Sequence, residues 1–147
     1  MNHTIEEILS LKPNLTDSER DLVRKAFDVS SRAHSAQKRN SGEPYFNHVF
    51  HTALILAQMN ADAVTISAGL LHDVLEDTSV QQSTLDNFFP RYIVNAVTVL
   101  SRNLSRPGDD YYVDIRKNSL ALRVKLQDIA HNTSPKRMDK LDEKTRE

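Results

Sequence analysis

Apolar residues along this chain recur mostly at helical spacing, in blocks separated by short polar breaks. Thr16-Asp17-Ser18-Glu19 has the spacing of a capping box, in which a hydroxyl and a carboxylate satisfy the free amides of a helix start. Leu22, Ala26, Val29 and Ala33 follow at that period. This helix is predicted to end before Gln37, where Lys38-Arg39-Asn40-Ser41-Gly42-Glu43-Pro44 forms a basic loop. A second helix runs from near Asn47 to Met59 on an apolar stripe of Val49, Ala53, Leu56 and Met59. Asn60 or Asp62 can cap a third, from Ala63 to Leu75, which is apolar on nearly every side until His72 and Asp73. A helix with no polar face belongs at the buried centre of its domain.

Farther along, Ser83 can cap a short helix through Phe88 and Phe89 that Pro90 breaks, and Ile93, Val94, Val97 and Leu100 continue as an amphipathic helix. A loop over Asn103 to Asp109 leads to a short helix at Tyr111–Lys117. The last core helix, from Leu120 to His131, turns Leu122, Leu126 and Ile129 inward, with Asp128 interrupting the apolar neighbourhood. Beyond Pro135 the chain is mostly charged; Met138 and Leu141 form a narrow stripe and Asp142 and Arg146 an i,i+4 pair, so a truncated helix is expected there. The pattern predicts an all-α bundle of about six to eight helices: one domain over 1–147 with its core at about 17–132.

Composition supports that picture. Of 147 residues 39% are hydrophobic and 27% charged, enough for one core, and 3 Gly with 5 Pro leave few positions for the tight turns of an all-β chain. With 19 Lys+Arg against 20 Asp+Glu, the formal net charge of −1 gives no case for a dedicated nucleic-acid or membrane-surface binder. MNHTIEEILS lacks the basic start and apolar core of a leader, and no run nears a membrane span, so a cytoplasmic protein is expected. The absence of Cys removes disulfides and thiolate chemistry and leaves His, Asp and Glu to hold any metal.

The segment Leu70 to Thr78, LLHDVLEDT, carries the strongest chemical signal, because ionisable groups ending a buried helix cost desolvation energy unless paired or metal-bound. In regular helical geometry His72 and Glu76 are i,i+4 neighbours, as are Asp73 and Asp77. His48 from the second helix and Asp128 from the last can converge on the same point in a bundle. Nitrogen and oxygen donors without sulfur suit Mn, Fe, Co, Ni or Zn better than Ca. A plain structural His–Asp hydrogen bond is the other reading of the pair. His51 competes with His48 as a ligand, and His34 and His131 read as local hydrogen-bonding partners or substrate contacts. Lys38 and Arg39 are a solvated pair or an anion clamp. Lys125 and Arg123 can add positive charge near Asp128, whereas Arg102, Arg106, Arg116 and Lys117 read equally well as surface charges, and Tyr111 and Tyr112 as packing residues.

Four pieces, in order, carry a resemblance: residues 33–45 (AHSAQKRNSGEPY), Asn47-His48, residues 70–78 (LLHDVLEDT) and residues 124–132 (VKLQDIAHN). Together they resemble the HD-domain metal-dependent phosphohydrolases, and within them the hydrolase domain of RelA/SpoT-type alarmone enzymes. The resemblance implies an all-helical fold and a divalent metal, usually Mn2+, held by His48, His72, Asp73 and Asp128. It also implies that Glu76 and Asp77 activate the hydrolytic water, that Arg39 and Ser41 belong to the loop receiving a guanine nucleotide, and that Asn132 contacts substrate. The implied reaction removes the 3′-pyrophosphate from guanosine tetra- or pentaphosphate. Asn40 stands where those enzymes typically have Lys, and Gln127 replaces a small residue. A non-catalytic nucleotide-sensing HD module and an HD phosphatase for another nucleotide remain the alternatives.

Overall fold

Two capping boxes start the first two helices. A computed structural model describes residues 3–132, with side chains through Ala130; the expected charged helix beyond Lys136 lies outside the described residues. In α1 (Ile5–Leu9) the Glu7 carboxylate accepts the Thr4 amide at 3.1 Å, and the helix buries Ile8 and Leu9. This helix, too short to show an apolar period, repeats the Thr-x-x-Glu signature. In α2 (Asp17–Ala33) the box closes as expected, with the Thr16 amide on Glu19 at 2.9 Å and the Glu19 amide on the Thr16 hydroxyl at 3.2 Å.

The basic loop is folded tightly. Lys38 pairs with Pro44 in an isolated antiparallel bridge, the Arg39 amide donates to Glu43 O, and Gly42 takes φ 91°, a turn conformation that favours glycine. α3 (Tyr45–Gln58) begins directly after Pro44, which presets the entry angle, so Tyr45 joins the helix that carries His48.

Asp62, rather than Asn60, caps α4 (Ala63–Leu71), accepting the Thr65 amide at 2.8 Å and its hydroxyl at 2.7 Å. Asn60 instead takes the left-handed conformation at φ 63° that turns the chain between helices. As its pattern predicts, α4 is the centre of the domain and packs against α2, α3, α7 and α9. Gly69 permits the close approach to α3, since a Cβ there would stand 2.7 Å from Leu56 Cδ1.

The predicted continuous helix to Leu75 is broken. The His72 Nδ1–H donates to the Gly69 carbonyl at 2.6 Å, competing for an acceptor of the helical ladder, and Asp73 sits at φ −106°, ψ 1°. A short α5 (Val74–Asp77) follows. The remaining helices are α6 (Gln82–Phe88), α7 (Arg91–Leu100), α8 (Asp109–Arg116) and α9 (Ser119–Asn132). α6 is capped at Gln81, two residues ahead of the predicted Ser83 cap. The all-α class stands: nine helical segments are present among the described residues, the two shortest having five and four residues. None of them is long and apolar enough to cross a membrane.

Asp62→Ala is expected to lower stability by about 1 kcal/mol through loss of the cap, and Gly69→Val by roughly 1–3 kcal/mol through overpacking against Leu56. Urea denaturation of each variant checks both, and unchanged midpoints would contradict this account of α4.

Candidate metal centre

The break between α4 and α5 turns two consecutive side chains toward one point. On a regular helix His72 and Asp73 would diverge by roughly 100°; here His72 Nε2 lies 3.0 Å from Asp73 Oδ2. α3 brings His48, whose Nε2 is 2.5 Å from Asp128 Oδ1 of α9 and 3.8 Å from Asp73 Oδ2. His72 Nε2 stands 3.4 Å from the same Asp128 oxygen. One donor atom from each of the four residues lies within 4.8 Å of all the others, and His48, His72 and Asp128 are buried.

The donor set fits a divalent cation. Because a carbonyl only accepts, His72 carries a proton on Nδ1, and Nε2, facing the two carboxylates, is the nitrogen that would give its proton up to a cation. Two imidazole nitrogens and two carboxylates give the mixed nitrogen–oxygen chemistry of a first-row transition metal.

Electrostatics keep the carboxylates ionised. Burial opposes the charge on Asp128, but hydrogen bonds from His48 and His72 outweigh it and hold the carboxyl well below its usual range. Burial likewise opposes charge on Asp73 and is outweighed by the charge and hydrogen bond of His72. For His72 burial disfavours the cation, yet Asp73 and Asp128 together raise it well above an ordinary histidine, whereas burial lowers His48.

The cluster lines a cavity of about 420 Å³ that also carries acidic and basic side chains. Glu76 and Asp77 are its further acids. Asp77 is pushed up to about 6, chiefly by burial and then by the neighbouring Asp73 charge. The expected His72–Glu76 neighbourhood gives way to a different contact: with the helix broken, Glu76 accepts the Arg102 backbone N–H at 2.6 Å. Asp73 and Asp77 stay linked through the Tyr45 hydroxyl, 2.8 Å and 2.9 Å from their Oδ2 atoms.

Arg39, Arg102 and Lys125 are its cations. The Arg102 guanidinium lies 4.5 Å from the Tyr111 ring centroid and donates to the Tyr112 hydroxyl at 2.9 Å; Lys125 Nζ is 3.4 Å from Asp128 Oδ2. Tyr111 and Tyr112 therefore belong to the cavity wall rather than to packing alone. Arg123 points away from the cavity, toward Thr65. Arg106 is paired locally with Asp114 and Asp110.

All six residues expected to form the metal and acid set line this cavity, as does Arg39. Ser41 is buried beside it with its hydroxyl on Glu43, and does not line it. The side chain of Asn132, the other expected substrate contact, and that of His131 lie outside the described residues. His51 is not in the cluster and packs near His3. His34 donates from Nδ1 to Gln37 at 2.8 Å and stacks on Tyr45. Tyr45 was the residue missed in the sequence; its place three residues before His48, on one helix face, was the available signal.

The HD domain family matches residues 26–107. A probable guanosine-3′,5′-bis(diphosphate) 3′-pyrophosphohydrolase of Mycoplasma genitalium is 35% identical over 125 residues, 82% of this chain and 17% of that protein. A GTP pyrophosphokinase of Brucella ovis is 34% identical over 139 residues, 87% of this chain and 18% of its own length. The guanosine-3′,5′-bis(diphosphate) 3′-pyrophosphohydrolase of Vibrio cholerae is 40% identical over 88 residues, 60% of this chain and 12% of its own length. The chain thus spans less than a fifth of these curated relatives. Among solved structures, one described as a metazoan ortholog of SpoT that hydrolyzes ppGpp superposes with a TM-score of 0.69 at 22% identity, covering 91% of this chain and 76% of that one.

Mn2+ at about 100 times its dissociation constant is expected to stabilise the protein by about 2.7 kcal/mol, read as a rise in melting temperature by scanning fluorimetry. Asp128→Ala should abolish the rise. An unshifted wild type, or an equal shift in the variant, would contradict a cation at this cluster.

Proposed function

Because the chain belongs to the HD-domain family, we propose that it is a metal-dependent phosphohydrolase removing the 3′-pyrophosphate from guanosine 3′,5′-bis(diphosphate). One observation carries the reading: His48, His72, Asp73 and Asp128 converge in a cavity that is also lined by the acids Glu76 and Asp77 and by the cations Arg39, Arg102 and Lys125. The names borne by the Mycoplasma genitalium and Vibrio cholerae relatives support the choice of substrate.

In this reading His48, His72, Asp73 and Asp128 hold one divalent cation, Mn2+ by preference, which supplies positive charge for phosphoryl oxygens and acidifies water. Asp77, with Glu76 beside it, orients water and takes its proton. A carboxyl whose pKa burial has raised to about 6 suits that task near neutral pH. The water oxygen bonds to the phosphorus attached to the 3′ oxygen, the phosphorus–O3′ bond breaks, pyrophosphate leaves and the 3′ oxygen gains a proton. Arg39, Arg102 and Lys125 offset the charge of a nucleotide carrying two diphosphates. Ser41 and Asn132 complete the reading as residues of the guanine side; Ser41 donates to the Glu43 carboxylate, and the Glu43 carbonyl accepts the Arg39 amide. A small-molecule substrate and a cytoplasmic setting, without nucleic acid or membrane as partner, belong to the same proposal.

Purified protein with Mn2+ is expected to release pyrophosphate from guanosine tetraphosphate, and Asp73→Ala to lose at least about 100-fold in rate. Phosphate release from another nucleotide would move the protein to a different phosphatase; binding without products would make it a sensor. Arg39→Ala and Arg102→Ala should each raise KM by about tenfold or more, the worth of one charged hydrogen bond, and an unchanged KM would remove those two residues from the substrate site.

A further inference from the structure

The Tyr45 side chain does something that neither the metal cluster nor the acidic pair accounts for. Its ring is fixed from several sides: it stacks on His34 at 5.0 Å and 23°, and His34 is itself pinned by Gln37. The Tyr45 backbone amide donates to Gln37 O at 2.8 Å, and the Arg39 guanidinium lies 5.7 Å from the ring centroid. The hydroxyl is thereby delivered, half-buried, between two carboxylates, at 2.8 Å from Asp73 Oδ2 and 2.9 Å from Asp77 Oδ2.

Two features make this more than packing. The Asp73 oxygen it meets is the one that faces both imidazoles, 3.0 Å from His72 Nε2 and 3.8 Å from His48 Nε2. Second, a phenol has a single proton to give, so two carboxylates compete for it. Asp73 and Asp77 are like charges one helical turn apart, and with no donor between them the second would be drawn to any cation that the first binds.

We propose that Tyr45 is a positioning residue of the metal centre, whose hydroxyl aims the Asp73 carboxylate at the imidazoles and tethers Asp77 short of the cation, free for water. The proposal rests on the reading that His48, His72, Asp73 and Asp128 hold a divalent cation. Asp73 is thus the ligand and Asp77 the neighbour held in reserve.

The test is Mn2+ affinity, measured from the electron-spin-resonance signal of free Mn2+ with the 147-residue chain and no nucleotide. Tyr45→Phe keeps the ring that stacks on His34 and removes only the hydroxyl. It is expected to bind Mn2+ about tenfold or more weakly, with its metal-free melting temperature within a few degrees of wild type. Asp77→Ala leaves the tyrosine proton entirely to Asp73 and is expected to stay within about threefold of wild-type affinity. Wild-type affinity in Tyr45→Phe overturns the proposal, as does absence of Mn2+ binding by the wild type. A tenfold loss in Asp77→Ala also overturns it, because Asp77 would then be a ligand. If Tyr45→Phe does not fold, Asp77→Ala decides alone on whether Asp77 stays off the cation. A wild type that binds Mn2+ but releases no pyrophosphate removes the reaction proposed above and leaves this measurement unaffected.

Discussion

Two imidazoles and two carboxylates leave water together where α4 gives way to α5, and the surrounding structure is arranged to offset that cost. Charges without partners at such depth would be prohibitive. Each is answered locally: His48 by Asp128, His72 by Asp73 and by the Gly69 carbonyl, Asp73 by Tyr45, and Asp128 further by Lys125. The break in α4 belongs to the same arrangement. A continuous helix would satisfy Gly69 O by a backbone amide and send His72 and Asp73 to different faces; giving that carbonyl to the His72 ring directs both into one cluster. The apolar helix centre, packed on four neighbours, holds the broken end in place.

Much of this was legible in the sequence, for identifiable reasons. The central helix showed itself by lacking a polar face from Ala63 to Leu71, and the Thr16 capping box by its spacing. His72, Asp73 and Asp128 stood out because ionisable residues in apolar helices need a partner, whereas the choice of His48 over His51, and of the four as one ligand set, came from the resemblance to HD-domain phosphohydrolases. What sequence patterns could not supply was competition between side chain and backbone. Helical periodicity carried α4 through to Leu75 because the His72 hydrogen bond that ends it leaves no trace in hydropathy. The same blindness paired Glu76 with His72, whereas Glu76 reaches the backbone of Arg102, a contact across 26 residues.

The cavity rim was hidden for a related reason. Arg102 follows the C-cap of α7 and Tyr111 and Tyr112 lie in the first turn of α8, and each reads as an ordinary surface or packing residue. Only the fold sets the Arg102 guanidinium over the Tyr111 ring and along the cavity wall. The balance of 19 basic against 20 acidic residues thus conceals a local concentration of both signs in one cavity. Four carboxylates and three cations line one cavity, a mixed set that suits one small polyanion bound through a metal better than a broad anionic surface.

The central claim is that His48, His72, Asp73 and Asp128 bind one divalent cation through the atoms that already converge. Anomalous diffraction from crystals soaked in Mn2+ tests it most directly. The account predicts one strong anomalous peak bonded to both Nε2 atoms and to a carboxylate oxygen from each aspartate, with Asp77 outside bonding distance. Mn2+ ordered elsewhere on the protein while this cluster stays empty, or a peak bonded to Asp77 in place of Asp73, would contradict it.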